Sequence, residues 1–163
     1  MKRETMMQLH GNFEGSIHLH PESGVEFWFA RELQSLLGYS RWENFAKVIS
    51  KAVEACENSD VPPQNHFLET TKMVTLGSAA KRPVDDFILT RYACYLIAQN
   101  GDASKEQIAF AQTYFAVQTR AQGVREFPPG ELPPQAASYQ FRAGQQDWSP
   151  ISYRNGEFAG QTR

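Results

Sequence analysis

The stretch GSAAKRPVDDFILTRYACYLIAQNGD, Gly77–Asp102, constrains the fold more than any other part of the chain. Its second half, Arg91–Gln99, is a nearly all-apolar helix that cannot stand in water. Thr90 precedes it and has the hydroxyl that caps a helix N-terminus, and Asn100-Gly101 closes it. Before it, Arg82–Leu89 (RPVDDFIL) and Phe67–Leu76 (FLETTKMVTL) have strand composition. Gly77–Lys81 then becomes a hairpin turn, with Ser78, Lys81 and Arg82 at its tip. Pro83 lacks a ladder donor and belongs on an edge or at a bulge. The fold class expected is α+β.

Alternation around Pro21-Glu22-Ser23-Gly24 makes Ser16–His20 and Val25–Phe29 a first hairpin. Ala30–Leu37 carries leucines at 33, 36 and 37 and reads as a short helix, with Gly38 at the position after its C-cap. Ser40 and Glu43 form a capping box that opens a helix running to about Glu57. A helix, a three-residue turn containing glycine and a second helix make a helix-turn-helix pattern. Ser104 and Gln107 repeat the capping-box spacing before a last helix, Lys105 to about Gln122. That gives two β-hairpins and about four helices over residues 16–125. Residues 1–15 are expected to be a flexible arm. Residues 126–163 are expected to be a Pro-rich linker, FPPGELPP, and an irregular aromatic tail with an Asn155-Gly156 hairpin turn.

A chain of 163 residues with 41% apolar content can form one real core. The net charge of −2 argues against a non-specific polyanion binder, so any nucleic-acid contact must come from a local patch. Two separated cysteines, Cys56 and Cys94, fit a reducing compartment better than a disulfide scaffold. No apolar run is long enough to span a bilayer, and the first residues lack a signal-peptide core. A soluble, cytoplasmic protein without membrane contact is expected.

Two basic patches stand out. On the helix after Ser40, Arg41, Asn44, Lys47 and Lys51 fall within roughly one third of the circumference. Arg and Asn pair with base edges and Lys reaches phosphates; the same face could equally be a solvated one balanced by Glu54 and Glu57. The second hairpin offers Lys72, Ser78, Lys81 and Arg82, with Arg91 at the following helix start. Small residues at its tip would let a phosphate approach, or the turn simply faces water. A cation at a helix N-terminus is unfavourable, so Arg91 should pair with Asp85, Asp86 or an outside anion.

Catalytic chemistry is poorly supported. Asp85 and Asp86 point to opposite faces of a strand and cannot easily share a metal with Glu69. His18 and His20 share a strand face without an obvious third ligand and read as exposed histidines. Cys94 reads as core, with no activating base near it in sequence. No phosphate-cradling glycine loop or nucleophile elbow is present. No catalytic residue, cofactor or metal is expected. The last helix is apolar almost all round. Ile108 and Phe115 can close the core, which leaves Phe110, Tyr114 and Val117 for a homodimer partner or for the first hairpin.

Four blocks in this order, ARELQSLLGYS (Ala30–Ser40), AVEACENS (Ala52–Ser59), the Gly77–Asp102 segment and QTYFAVQTR (Gln112–Arg120), resemble the DNA-damage-inducible protein D family. That family carries an amino-terminal BRO-type domain, shared with phage antirepressors and baculovirus BRO proteins. The resemblance spans roughly residues 16–122. It implies a BRO-type, winged-helix-like fold. It also implies DNA binding, duplex or single-stranded, in the bacterial DNA-damage (SOS) response or in control of a mobile element. The helix from Arg41 would dock on DNA while the Gly77–Arg82 turn holds backbone. Two alternatives act through protein: an antirepressor that binds a repressor, and a modulator of the recombinase filament on single-stranded DNA. Family members usually continue into a longer, charged, helical carboxy-terminal region, whereas this chain stops in a short aromatic tail.

Overall fold

A computed structural model describes residues 1–77 and 80–127, together with the backbone of 139–140, 153–154 and 157–158. The order is α1 (Arg3–Gly15), β1 (His18–Leu19), β2 (Glu26–Phe29), α2 (Ala30–Leu36), α3 (Trp42–Asn58), β3 (Phe67–Thr75), β4 (Lys81–Thr90), α4 (Arg91–Gln99) and α5 (Glu106–Gln122). A 3-10 turn, Pro63–Asn65, leads into β3. Three short strands follow: β5 (Tyr139–Gln140), β6 (Tyr153–Arg154) and β7 (Glu157–Phe158). The class is α+β, as expected.

The main sheet is antiparallel throughout, in the order β1-β2-β4-β3-β5. Both expected hairpins are present, with His18 opposite Phe27 in the first and Thr75 opposite Lys81 at the far end of the second. β2 pairs with β4 only at Ile88–Thr90. The outer half of β4, Pro83 included, therefore has no β2 neighbour, which is the edge position its missing N–H requires.

Side chains alternate across a strand, and here both faces are apolar. Trp28, Phe67, Phe87 and Leu89 face the helices in the larger core, with Leu33, Phe45, Ile49, Ile97, Ile108 and Phe115. Val25, Phe27, Phe29, Leu68 and Ile88 form a second cluster on the other face, closed by Phe127. Helix α4 buries Ala93, Cys94, Leu96, Ile97 and Ala98. Thr90 caps it as expected: its hydroxyl accepts from Ala93 N at 3.2 Å. The same oxygen lies 2.7 Å from Nδ1 of buried His66. Gly38 stands just past α2 at φ +75°, the conformation glycine adopts without strain.

Several expectations need correction. Residues 3–15 are not a loose arm but α1, so the described residues contain five helices. Met6, Leu9, His10 and Phe13 recur at helical spacing, and Phe13 is fully buried. Gly11 and Gly15 hide this signal by lowering propensity. Phe13 packs on Phe110, Tyr114 and Phe115, with ring centroids 5.4–5.6 Å apart. Glu14 also accepts from the Tyr114 hydroxyl. The α5 face set aside for a homodimer is thus covered by the chain's own first helix. Only Val117 of that set stays open, at 61% exposure.

Neither capping box forms. Arg41 and Lys105 occupy the N-cap positions with no side-chain cap, and Ser104 Oγ donates to Asp102 instead. The turn between α2 and α3 runs from Leu37 to Arg41, longer than the three residues expected.

The domain does not end at 125. Phe127 is 5% exposed against Phe27, and its N–H donates to Asn65 O at 3.4 Å. Residues 128–138, where most of the Pro-rich linker falls, lie outside the described residues. So does Asn155-Gly156; the strands on either side of it, β6 and β7, pair Tyr153 with Phe158 and Arg154 with Glu157.

Phe127→Ala should lower unfolding free energy by about 3 kcal/mol, read by denaturant melts, because it opens a cavity over the second face. A chain cut after Arg125 should lose at least as much. Unchanged stability in both would place Phe127 outside the core.

Candidate nucleic-acid interface

The site is organised by Arg31, the second residue of α2. Phe29, the N-cap of α2, supplies no side-chain cap. The cap comes from β4: Asp86 Oδ1 accepts from Arg31 N at 2.9 Å and from Phe87 N at 2.8 Å. Arg31 Nε donates to Asp85 O at 2.7 Å, and its guanidinium lies 3.9 Å from the ring centroid of Trp42. Trp42 opens α3 and stacks near Phe87, centroids 6.4 Å apart. One arginine therefore ties the starts of α2 and α3 to the middle of β4. Sequence reasoning missed this cluster, because the cap and the helix are 55 residues apart.

Asp86 is fully buried. Burial pushes its carboxyl up to about 6, although two backbone N–H groups and the charges of Arg31 and Lys72 pull the other way. It is a structural acid. The groups of His, Cys, Asp and Glu among the described residues form no metal-binding cluster.

Helix α3 separates its faces cleanly. Phe45, Val48, Ile49, Ala52, Val53 and Cys56 are buried, while Arg41, Asn44, Lys47 and Lys51 are exposed. The exposed row runs about 15 Å along the axis. Arg41 makes one ion pair with Glu43 at 3.8 Å; both are more than 70% exposed, so it holds little energy.

Lys81 and Arg82 are exposed on β4, about 13 Å beyond Asp85 along the strand. Lys72 is half-buried opposite Val84. Ser78 lies outside the described residues. Arg91 does not belong with this set. It is 7% exposed, ion-paired with Glu26 and 5.2 Å from the Trp28 ring centroid. The partner expected for it, Asp85 or Asp86, is replaced by an acid on β2, the neighbouring strand at that end of β4.

The other reactive candidates are structural. His18 meets Glu32 at 3.0 Å and stacks on Phe27. His20 is not exposed as expected: at 2% exposure it accepts from Ser23 N through Nδ1. His66, Thr90 and Glu126 superficially resemble a hydrolase triad, but Thr90 is buried and its oxygen caps α4. Burial pushes both cysteine thiols up, Cys56 to about 11, far from nucleophilic thiolates. No helix among the described residues is long and apolar enough to cross a membrane.

Residues 17–116 match the BRO family, N-terminal domain, a span that holds β1 through most of α5, with the Arg31 cluster and both basic patches. The chain belongs to the BRO family. Among curated relatives, it is 51% identical over 117 residues to DNA damage-inducible protein D of Escherichia coli (strain K12). The match takes in 72% of this chain and 42% of the relative, so the chain spans less than half of that protein. No solved structure matches. The BRO domain here begins inside the α1–β1 connection; α1 itself lies before the matched span, although it packs on the domain's last helix.

Asp86 gives the domain a pH signature. Its carboxyl sits near 6 when folded against 3.8 when unfolded, so the folded chain holds more protons between those values. Its contribution is present below about pH 4 and lost as pH rises through 6. His66 acts in the opposite sense. Burial lowers it from 6.5 to about 4, so stability falls as pH drops through that window. Asp86→Asn keeps the accepting oxygen and removes only the acid. Its stability relative to the parent should rise by about 1–3 kcal/mol between pH 4 and pH 7, read by urea unfolding. A pH-independent difference would mean that Asp86 is not desolvated.

Proposed function

We propose that this BRO domain is a DNA-binding regulatory module that acts by recognition, without turnover, in the response to DNA damage. The observation that carries it is the exposed row Arg41, Asn44, Lys47 and Lys51, fixed by the Arg31 cluster beside the base of the β3–β4 arm. Asn44 and Arg41 have the donor patterns that read adenine and guanine edges, and Lys47 and Lys51 suit phosphates. Lys81 and Arg82, on the arm, grip backbone to one side, as the wing of a winged helix does. With an overall charge of −2, affinity depends on this local patch. The name of the Escherichia coli relative supports placing the module among proteins made after DNA damage.

Arg41→Ala with Lys47→Ala should weaken binding to duplex DNA by about 1–3 kcal/mol and flatten the dependence on salt. Its melting temperature should barely move, since both side chains face water. Arg91→Ala should do the reverse: it leaves Glu26 half-buried without its partner and costs stability before affinity. Affinity and salt slope unchanged in the double variant would sink the docking role of α3. An activity exerted through a repressor or a recombinase filament would then take its place, and would show little dependence on salt if the contact is apolar.

A further inference from the structure

Short strands from beyond Phe127 lie against both halves of the proposed DNA face. β5 pairs with the outer edge of β3, Gln140 opposite Thr71 and Tyr139 opposite Lys72. Lys72 belongs to the basic set of the second hairpin. β7 lies against α3, with Cα atoms of the two within 8 Å, and is held in a two-stranded ribbon with β6. The strands that follow the domain therefore reach the arm at one point and α3 at another.

Their effect is steric, not electrostatic. Residues 128–163 hold three acidic and three basic side chains, so they cannot stand in for a polyanion. Arg41, Asn44, Lys47 and Lys51 also stay exposed, so the row itself is not masked. The limit is width. With its side chains a helix is about 10–12 Å across, and the major groove is about 12 Å wide, so α3 alone fills it. A ribbon against α3 makes the body too wide to enter. The attachment is slight, however. β5 meets two of the nine residues of β3, and β6 and β7 share two residue pairs. Pairings this short are marginal in water and open readily.

We infer that β5 and the β6–β7 ribbon form a gate on the DNA face: docked, they keep α3 out of the major groove, and released, they admit it. The gate rests on α3 as the DNA-docking helix, and it makes the full chain bind DNA below the capacity of its own BRO domain. A gate closed four-fifths of the time weakens apparent affinity about fivefold.

The test keeps the full chain and opens the gate at each strand pair. Tyr139→Pro with Gln140→Pro removes both N–H groups that β5 could offer β3, and Tyr153→Pro with Phe158→Pro breaks the ribbon in the same way. All four positions lie beyond the matched span, residues 17–116, so the melting temperature should hold. If one pair of prolines unfolds the domain, the other decides. Each variant should bind duplex DNA about fivefold tighter or better, with the salt slope unchanged because no phosphate contact is added. Amide exchange at Thr71 and Lys72 should quicken in the first variant; unchanged exchange would show that β5 does not dock. Equal affinity of the parent and both variants overturns the gate and leaves the docking role of α3 standing. Weaker binding by the ribbon variant also overturns it, and would put the ribbon inside the interface. No binding by parent or variants overturns the gate together with the DNA reading.

Discussion

A single carboxylate oxygen does the joining in this domain. Asp86 Oδ1 takes the N–H of Arg31 and that of Phe87, so a helix start and a strand share one acceptor. Ser, Thr, Asp or Asn at the N-cap normally serves a helix locally. Here the N-cap is Phe29, whose ring is needed in the second core cluster, so the cap has to come from elsewhere. The consequence is long-range. Helix α2 cannot form its first turn correctly unless β4 is in register, and Arg31 then carries that register on to Trp42 and α3. Burying the acid is costly, and its carboxyl is pushed up accordingly, but the arrangement couples the sheet to α2 and α3 through one residue.

Much of this was legible in the chain. Alternation around Pro21–Gly24 and the long pair Phe67–Leu76 and Arg82–Leu89 located both hairpins, and Thr90 acts as the cap its position suggested. The two-faced pattern of α3 placed Asn44, Lys47 and Lys51 in water as expected. Those signals are local: period, turn and cap all lie within a few residues. The failures share the opposite property. Ser40 and Ser104 matched a capping motif, yet each helix begins two residues later, with Arg41 and Lys105 at the N-cap positions and Ser104 bonded to Asp102 instead. Arg91 was expected to pair with Asp85, Asp86 or an outside anion, whereas its partner is Glu26, from another strand.

The last helix illustrates the same limit from the apolar side. Its residues declare that it is covered on more than one side but not by what. Two glycines in α1 concealed the answer, and Phe13 supplies it. Phe127 plays the matching part on the far face of the sheet. Segments before β1 and after α5 thus each contribute one fully engaged ring, and the compact domain is wider than its most recognisable blocks.

The short reach of β2 has a mechanical consequence. Beyond Val84, toward the tip, β4 and β3 are laddered only to each other, since β2 stops at Ile88 and β5 reaches only Thr71 and Lys72 of β3. A two-stranded ribbon twists more strongly than a wide sheet, and it opens at lower free energy than the core does. Lys81 and Arg82 therefore ride on a twisted, independently adjustable lever, hinged where Asp85 and Asp86 meet Arg31. Such a lever can change pitch without disturbing either apolar face behind the hinge.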